Sequence, residues 1–185
     1  VNVKDYSLRY KDSKEPVFEG MTFAIERGDR VTLSGKNGSG KTTIIRNILG
    51  KCNVTDSLLN VEEDGICEVA RGLIVSYVGQ ETVGLKGNIT NYCKEHNLDK
   101  SLFCSILRQL DFERGQFLKN MEDYSEGQKK KVLLATSLLT PAHIYIWDEP
   151  LNYIDVFSRM QLEKLILEYQ PTMLFVEHDT SFCEQ

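Results

Sequence analysis

The sequence predicts an α/β fold with a partly parallel β-sheet. The first observation is the short apolar strand at Arg30–Ser34, which runs into a glycine-rich loop and then into a helix at Thr43–Leu49. The second is a buried-type strand at His143–Trp147, followed by an amphipathic helix at Asp155–Tyr169 and a strand at Thr172–Val176. Strands that alternate with helices in this way are typical of parallel sheets.

The N-terminal part of the chain predicts two strands before the glycine-rich loop. Polar and apolar residues alternate over the first ten residues, with Tyr6, Leu8 and Tyr10 on one face, which predicts a strand. Met21–Ile25 predicts a second strand that ends in a polar turn. After the loop and its helix, Gly50 is the expected C-terminal cap of that helix.

The middle of the chain predicts loops, two strands and then mostly helices. Residues 51–64 are polar and predict loops, and strands are expected at Ile66–Val69 and Leu73–Val78. Further along, apolar residues recur at helical spacing. The predicted helices there are Asn88–His96, Lys100–Leu110, a weaker one at Phe112–Met121, and Glu126–Leu139.

The composition is that of an ordinary globular protein. The 185 residues include 22 Lys+Arg and 27 Asp+Glu, a formal net charge of −5, which argues against binding nucleic acid over the whole surface. No apolar run approaches the roughly 20 residues of a membrane span. The five cysteines form no C-x-x-C pair, which favours a reducing compartment and disfavours structural zinc. We therefore expect a cytoplasmic protein.

A phosphate-binding loop is the most specific motif of the chain. Gly35–Thr42 matches G-x-x-x-x-G-K-[ST] between a strand and a helix, the context in which this motif cradles nucleotide phosphates. We expect Lys41 to reach the β- and γ-phosphates and the Thr42 hydroxyl to ligate Mg²⁺. The alternative is a glycine-rich turn before an ordinary helix. The expected nucleotide-binding residues are Gly35, Asn37, Gly38, Ser39, Gly40, Lys41, Thr42 and Thr43.

Two carboxylates end a later apolar strand. Ile144–Trp147 runs into Asp148 and Glu149, and carboxyl ends of parallel strands meet at the edge of the sheet where ligands bind. Asp148 is then placed to hold Mg²⁺, and Glu149 to take a proton from the attacking water. The alternative is a solvated strand end, which commonly carries Asp or Glu.

Taken in chain order, these motifs and five others resemble an ATP-binding-cassette (ABC) ATPase domain. The further matches are Tyr10 for the aromatic that stacks on adenine, Gln80 for the Q-loop glutamine, Tyr124-Ser125-Glu126-Gly127-Gln128 for the signature L-S-G-G-Q, Glu149–Asp155 for the catalytic glutamate and the D-loop that follows it, and His178 for the switch histidine. Tyr6 is the alternative to Tyr10 for this role, and either tyrosine could instead be a core residue. The spacing of Tyr10 from Gly35 favours Tyr10. The resemblance implies a P-loop NTPase with a RecA-like core, an antiparallel β subdomain and a short helical subdomain at about residues 86–124.

The same resemblance implies roles for these residues. Glu149, His178 and Gln80 would be catalytic, and Ser125, Gly127 and Gln128 would contact nucleotide. The cofactors would be ATP and Mg²⁺, with the metal held by Thr42, Gln80 and Asp148.

The signature departs from the family pattern, because Tyr124 replaces Leu and Glu126 replaces Gly. A carboxylate close to a γ-phosphate is repulsive unless it points away. Ser125 and Gln128 also form the pattern of a helix capping box, and both readings can hold. For Lys129–Lys131 a solvated helix face is expected, with a contact to ribosomal RNA as the alternative.

Three segments are more specifically similar to the second ATPase domain of ABC-F proteins. They are Ser125–Lys131, Trp147–Asp155 and Val176–Asp179, and they most resemble the ribosome-protecting, antibiotic-resistance branch. The resemblance implies that residues 1–185 are one ABC domain of a longer two-domain protein. Its partners would be a second ABC domain, in the same chain or as a homodimer of this fragment, and the ribosome, with no membrane domain. The isolated domain would be a weak ATPase.

Two other functions stay open from the sequence. One is the nucleotide-binding domain of an ABC membrane transporter. The other is an ATP-dependent interaction module with little hydrolysis, which Glu126 in the signature suggests.

Overall fold

The computed structural model describes residues 1–54 and 59–176, which fall into two units. Of the described residues, the first unit contains those of Val1–Ser76, Ala142–Asp148 and Pro171–Val176, and the second contains Tyr77–Pro141 and Glu149–Gln170. The strands are β1 (Asn2–Tyr10), β2 (Phe18–Ala24), β3 (Arg30–Leu33), β4 (Val61–Glu68), β5 (Val75–Val78), β6 (Ile144–Asp148) and β7 (Met173–Val176). The helices are α1 (Lys41–Lys51), α2 (Ile89–Glu95), α3 (Lys100–Gln109), α4 (Glu126–Leu139) and α5 (Val156–Tyr169).

An antiparallel sheet of order β2-β1-β4 lies in the first unit. The pairing of β1 with β4 shifts between Lys4 and Ser7, where Asp5 has a φ of 45°. Opposite this bulge Gly65 has a φ of 83°, and a Cβ atom there would lie 2.2 Å from the Asp5 carbonyl oxygen, so only glycine fits. Tyr6 and Leu8 are buried, as the alternation predicts.

A four-stranded sheet of order β3-β7-β6-β5 holds the ends of the site strands. β7 pairs in parallel with β3 on one side and with β6 on the other. Leu33 and Asp148 are both in register with Val176, so β3 and β6 end at the same level of the sheet. The predicted α/β fold with a partly parallel sheet is therefore confirmed.

Helices α2, α3, α4 and α5 form the core of the second unit. The Tyr92 hydroxyl lies 3.0 Å from that of Thr136, which joins α2 to α4, and the Ser158 hydroxyl donates to the Leu110 carbonyl at 2.9 Å. Each of these helices begins at a side chain that accepts a first-turn N–H, and the four are Asn88, Asp99, Ser125 and Asp155. The predicted helices at Asn88–His96, Lys100–Leu110 and Glu126–Leu139 are thus confirmed to within about a residue at each end.

Three local predictions were wrong. Gly50 is not the cap of α1, which continues through it to Lys51. Phe112–Met121 is not an α-helix, since this stretch holds only short 3₁₀ turns at Gln116–Leu118 and Met121–Asp123.

The third error is that residues 61–64 belong to β4 rather than to a loop. The acidic side chains of this segment made it look like a loop in the sequence. In the structure, Glu62 pairs with Arg9, and Glu63 pairs with Lys51 at 2.7 Å. Across the part of the chain that the structure describes, no helix has both the length and the hydropathy to cross a bilayer.

Candidate functional site

The glycine-rich loop between β3 and α1 has a backbone that glycine makes possible. Gly38 and Gly40 have φ values of 80° and 89°, in the left-handed region that other residues rarely adopt. A Cβ atom on Gly40 would also lie 2.7 Å from Cγ1 of Val17. The two glycines therefore let the chain curl tightly before the helix begins.

The N-terminus of α1 is arranged as an anion site. Its N-cap residue is Gly40, which has no side chain to accept the first-turn N–H groups, so these donors and the positive end of the helix can serve a ligand. The Lys41 side chain is buried, and its ammonium donates to the carbonyls of Gly35 at 2.8 Å and Lys36 at 3.0 Å. The loop thus holds a positive charge at its centre.

Asp148 lies at the same edge of the sheet as this loop. One strand, β7, separates it from the end of β3, which corresponds to roughly 10 Å between the outer strands. Helix α1 packs against β6, and Asp148 is fully buried while Thr42 is half-buried. A hydroxyl and a carboxylate are hard oxygen ligands, which suit Mg²⁺ bound with substrate phosphates.

No cluster of three or more His, Cys, Asp or Glu within residues 1–54 and 59–176 could hold a metal by itself. Mg²⁺ usually takes one or two carboxylates beside substrate phosphates, and Asp148 together with the Thr42 hydroxyl suits that mode of binding.

The structure distinguishes Tyr6 from Tyr10, the two tyrosines considered for stacking on adenine. The Tyr6 ring is completely buried and its hydroxyl donates to Oδ1 of Asn47 at 3.1 Å, and its pKa lies above the ordinary value because of burial and the nearby Glu63. The Tyr10 ring is 39% exposed, with its hydroxyl 3.4 Å from that of Thr43 in the first turn of α1. Of these two tyrosines, Tyr10 is the one on which a base could stack.

In the second unit, Glu149 has an unusual backbone. Its φ is 51°, a left-handed conformation that is strained for a residue with a Cβ atom and that clusters at functional sites. The Asn152 amide donates to Oε2 of Glu149 at 2.6 Å, which restricts the rotation of the carboxylate. A cavity of about 670 Å³ in this unit is lined by both Glu149 and Gln80.

The signature segment begins α4 with a complete capping box. Ser125 Oγ accepts the Gln128 N–H at 3.3 Å, and Gln128 Oε1 accepts the Ser125 N–H at 3.0 Å. Gly127 must be glycine, since a Cβ atom there would lie 2.5 Å from the Tyr153 carbonyl oxygen.

The two departures from the family signature have structural explanations. Tyr124 is buried, its hydroxyl donates to the Gln116 carbonyl at 2.9 Å, and burial raises its pKa to about 12, so it is a neutral core residue. Glu126 accepts a hydrogen bond from the Thr82 hydroxyl and pairs with Lys129 at 3.1 Å, and these two contacts lower its pKa.

The prediction of a solvated face at Lys129–Lys131 was wrong for two of the three lysines. Lys130 is fully buried and donates to the Gly79 carbonyl at 2.8 Å. Lys131 is 8% exposed and pairs with Asp155 at 2.7 Å. A signal was present, because Lys130 lies four residues before the buried Leu134 and so shares its face of the helix.

The predicted site residues are thus distributed over both units. The first unit brings together Tyr10, the loop Gly35–Thr43 and Asp148. The second holds Gln80 and Glu149, and also the signature residues Ser125, Gly127 and Gln128. His178 lies outside the described residues. A strand, a glycine-rich loop and an open helix N-terminus of this form define the P-loop class of nucleotide-binding proteins.

Comparison with known proteins assigns the family. The family model described as ABC transporter matches residues 18–152, which is most of the chain. The chain therefore belongs to the ABC transporter family, as a nucleotide-binding domain. Domains of this family bind ATP, normally with Mg²⁺, generally hydrolyse it and work in pairs.

Individual relatives come from several branches. The chain is 32% identical over 176 residues to the ATP-binding protein Uup of Buchnera aphidicola subsp. Acyrthosiphon pisum, covering 91% of this chain and 28% of that one. It is 30% identical over 175 residues to the ribosome protection protein VmlR of Bacillus subtilis, covering 91% and 30%. The chain spans less than a third of the length of either relative.

A transporter protein and a solved structure are similar as well. The zinc import ATP-binding protein ZnuC of Ehrlichia ruminantium is 30% identical over 197 residues, covering 98% of this chain and 75% of that one. A solved ATP-binding subunit of an ABC transporter superposes with a TM-score of 0.74 at 24% identity, covering 99% and 81%, which confirms the fold.

Proposed function

We propose that this chain is the ATP-binding and ATP-hydrolysing cassette of an ABC-F type protein that acts on the ribosome. A role in resistance to ribosome-targeting antibiotics is part of the proposal. The observation that carries it is the similarity to VmlR over 91% of the chain, together with a P-loop whose helix begins at an open N-terminus. The proposal includes a cytoplasmic location and a second ABC domain as partner.

ATP binding is assigned to the first unit. The N–H groups at the start of α1 and the Lys41 ammonium would hold the phosphates, and the exposed Tyr10 ring would stack on adenine. Thr42 and Asp148 would hold Mg²⁺. When bound, this ion neutralises charge on the phosphates.

Hydrolysis is assigned to Glu149 as the general base. Its carboxylate would accept the proton of the attacking water, and the hydrogen bond from Asn152 would keep one oxygen turned to a fixed direction. His178 would help to orient the water. Phosphoryl transfer depends on such positioning more than on covalent chemistry.

The signature is assigned to the nucleotide of the partner domain. The capping box fixes the conformation of the first turn of α4. The positive N-terminal end of that helix would then face a γ-phosphate. Glu126 is compatible with this role, because Lys129 pairs with its negative charge and the Thr82 hydroxyl donates a hydrogen bond to its carboxylate.

Replacing the base tests the hydrolytic part. In the full-length protein, Glu149→Gln is expected to lower ATP turnover by roughly 10²- to 10⁴-fold, as for the loss of a general base, with ATP binding retained. Glu168→Gln, an exposed residue of α5, is the matched control and should keep the wild-type rate. Wild-type turnover of Glu149→Gln would contradict the assignment, and negligible phosphate release by the wild type would favour the interaction module.

Ribosome pelleting tests the partner. Because slow hydrolysis prolongs the ATP-bound state, Glu149→Gln is expected to co-sediment with ribosomes in ATP and not without it. The similarity to ZnuC over 75% of that protein favours a second candidate, the ATPase domain of a membrane transporter. Sedimentation with membrane vesicles and none with ribosomes would select that candidate.

A further inference from the structure

Lys130 makes a buried contact for which the proposed ATP site does not need a lysine. Its side chain is completely buried in α4, and its ammonium donates to the Gly79 carbonyl at 2.8 Å. A buried ammonium is costly unless hydrogen bonds compensate its lost hydration. An apolar residue of similar size would fill the same volume, so the charge has a use beyond packing.

A second contact joins the same two segments. Thr82 is buried, and its hydroxyl donates to Glu126, which is the first residue of α4 and the unusual residue of the signature. Gly79 and Thr82 lie on either side of Gln80. The loop that carries Gln80 is therefore attached to α4 before and after the glutamine.

We propose that Lys130 is a positioning residue that fixes the Gln80 loop to the signature helix, with Glu126 and Thr82 as the second attachment. The proposal rests on the proposed function, in which Gln80 acts at this domain's own ATP site. Because the signature residues Ser125, Gly127 and Gln128 form the N-cap and first turn of α4, a nucleotide that the signature binds in a partner domain would bias the position of Gln80. Such linkage couples two sites through one rigid element.

Two readouts test the proposal in the full-length protein. Hydrogen exchange without nucleotide should become faster across residues 79–86 in Lys130→Met and stay unchanged in Lys164→Met, which alters an exposed lysine of α5. In ATP turnover, Lys130→Met should lower kcat by roughly 10- to 100-fold, the effect of misplacing a catalytic group.

A double-mutant cycle separates positioning from a general structural role. In a Gln80→Ala background, Lys130→Met should cause no further loss of kcat, because a positioning residue acts only through the group it positions. Thr82→Val, which removes the hydroxyl and keeps the shape, should behave in the same way with a smaller loss.

Several outcomes would overturn the proposal. Unchanged exchange at residues 79–86 in Lys130→Met, or losses that multiply in the double variant, would each refute it while the ATPase assignment stands. Faster exchange combined with an unaffected kcat in Gln80→Ala would instead refute the role of Gln80, and the positioning role would fall with it.

Discussion

Glu126 shows how far a single residue can be understood from the sequence. Its departure from the signature implies that the carboxylate must point away from a bound phosphate. The structure supplies what the sequence lacks, namely the hydroxyl partner Thr82, which lies 44 residues earlier in the chain, and the ion pair with Lys129. A partner so distant in sequence leaves no local pattern, so it could not be predicted.

Lys41 carries the residue-scale prediction for nucleotide binding. Its buried ammonium lies between two loop carbonyls, and Lys41→Ala removes the positive charge that the β- and γ-phosphates would meet. Truncating one member of a buried charge pair costs about 2–5 kcal/mol, so we expect affinity to fall by at least about 30-fold in calorimetric titration with ATP. Lys36→Ala removes an exposed side chain of the same loop and should bind normally. Near-normal affinity of Lys41→Ala would contradict the P-loop assignment.

At the scale of the element, caps were predictable where local chemistry determines them. The capping box Ser125–Gln128 could be predicted because both of its hydrogen bonds lie within four residues. Gly50 was misleading, since the packing of Ile48 and Leu49 carries α1 past it. Likewise, α3 ends just before Asp111, which adopts a φ of 57°. The helical spacing of apolar residues after Asp111 therefore did not indicate a further α-helix.

Asp155, the N-cap of α5, has a pH-dependent contribution to stability. Burial alone would raise its pKa, but hydrogen bonds from Lys131 and from the backbone N–H of Ser158 outweigh burial and hold the pKa well below its ordinary value. A carboxyl with a lowered pKa stabilises the fold above its unfolded pKa, near 3.9, and this contribution is lost as pH falls below that value.

Asp155→Asn should therefore lower the free energy of unfolding at pH 7 by about 0.5–1 kcal/mol, a modest value because the carboxylate is half-exposed and screened. The difference in the free energy of unfolding between the variant and the wild type should become smaller below about pH 4, and urea titrations can measure it. Asp99→Asn, at the cap of α3, provides the control, because the Asp99 carboxylate accepts the backbone N–H of Leu102. A gap that stays constant with pH would contradict the ion-pair account.

At the scale of the whole molecule, the expected parts of the ATP site follow from the sequence, whereas the residues that hold those parts in place do not. The P-loop, Asp148 and Glu149 occur in contiguous motifs, so spacing alone located them. The supporting role of Lys130 depends on a contact with Gly79, 51 residues away, and was mistaken for solvated charge. Motifs mark the residues expected to bind ATP, whereas the residues that hold them in place are scattered along the chain.

The need for a partner domain gives the last prediction. In the proposed mechanism each ATP meets the P-loop of one domain and the signature of another, so a lone 185-residue chain has half of each site. Its phosphate release per chain is expected to rise with chain concentration, because productive sites form only when two chains associate. The full-length protein, if it holds two domains, serves as the control, and its turnover per molecule should not depend on concentration. A constant specific activity of the 185-residue chain across a 100-fold dilution would show that one domain suffices and would remove the signature from the catalytic site.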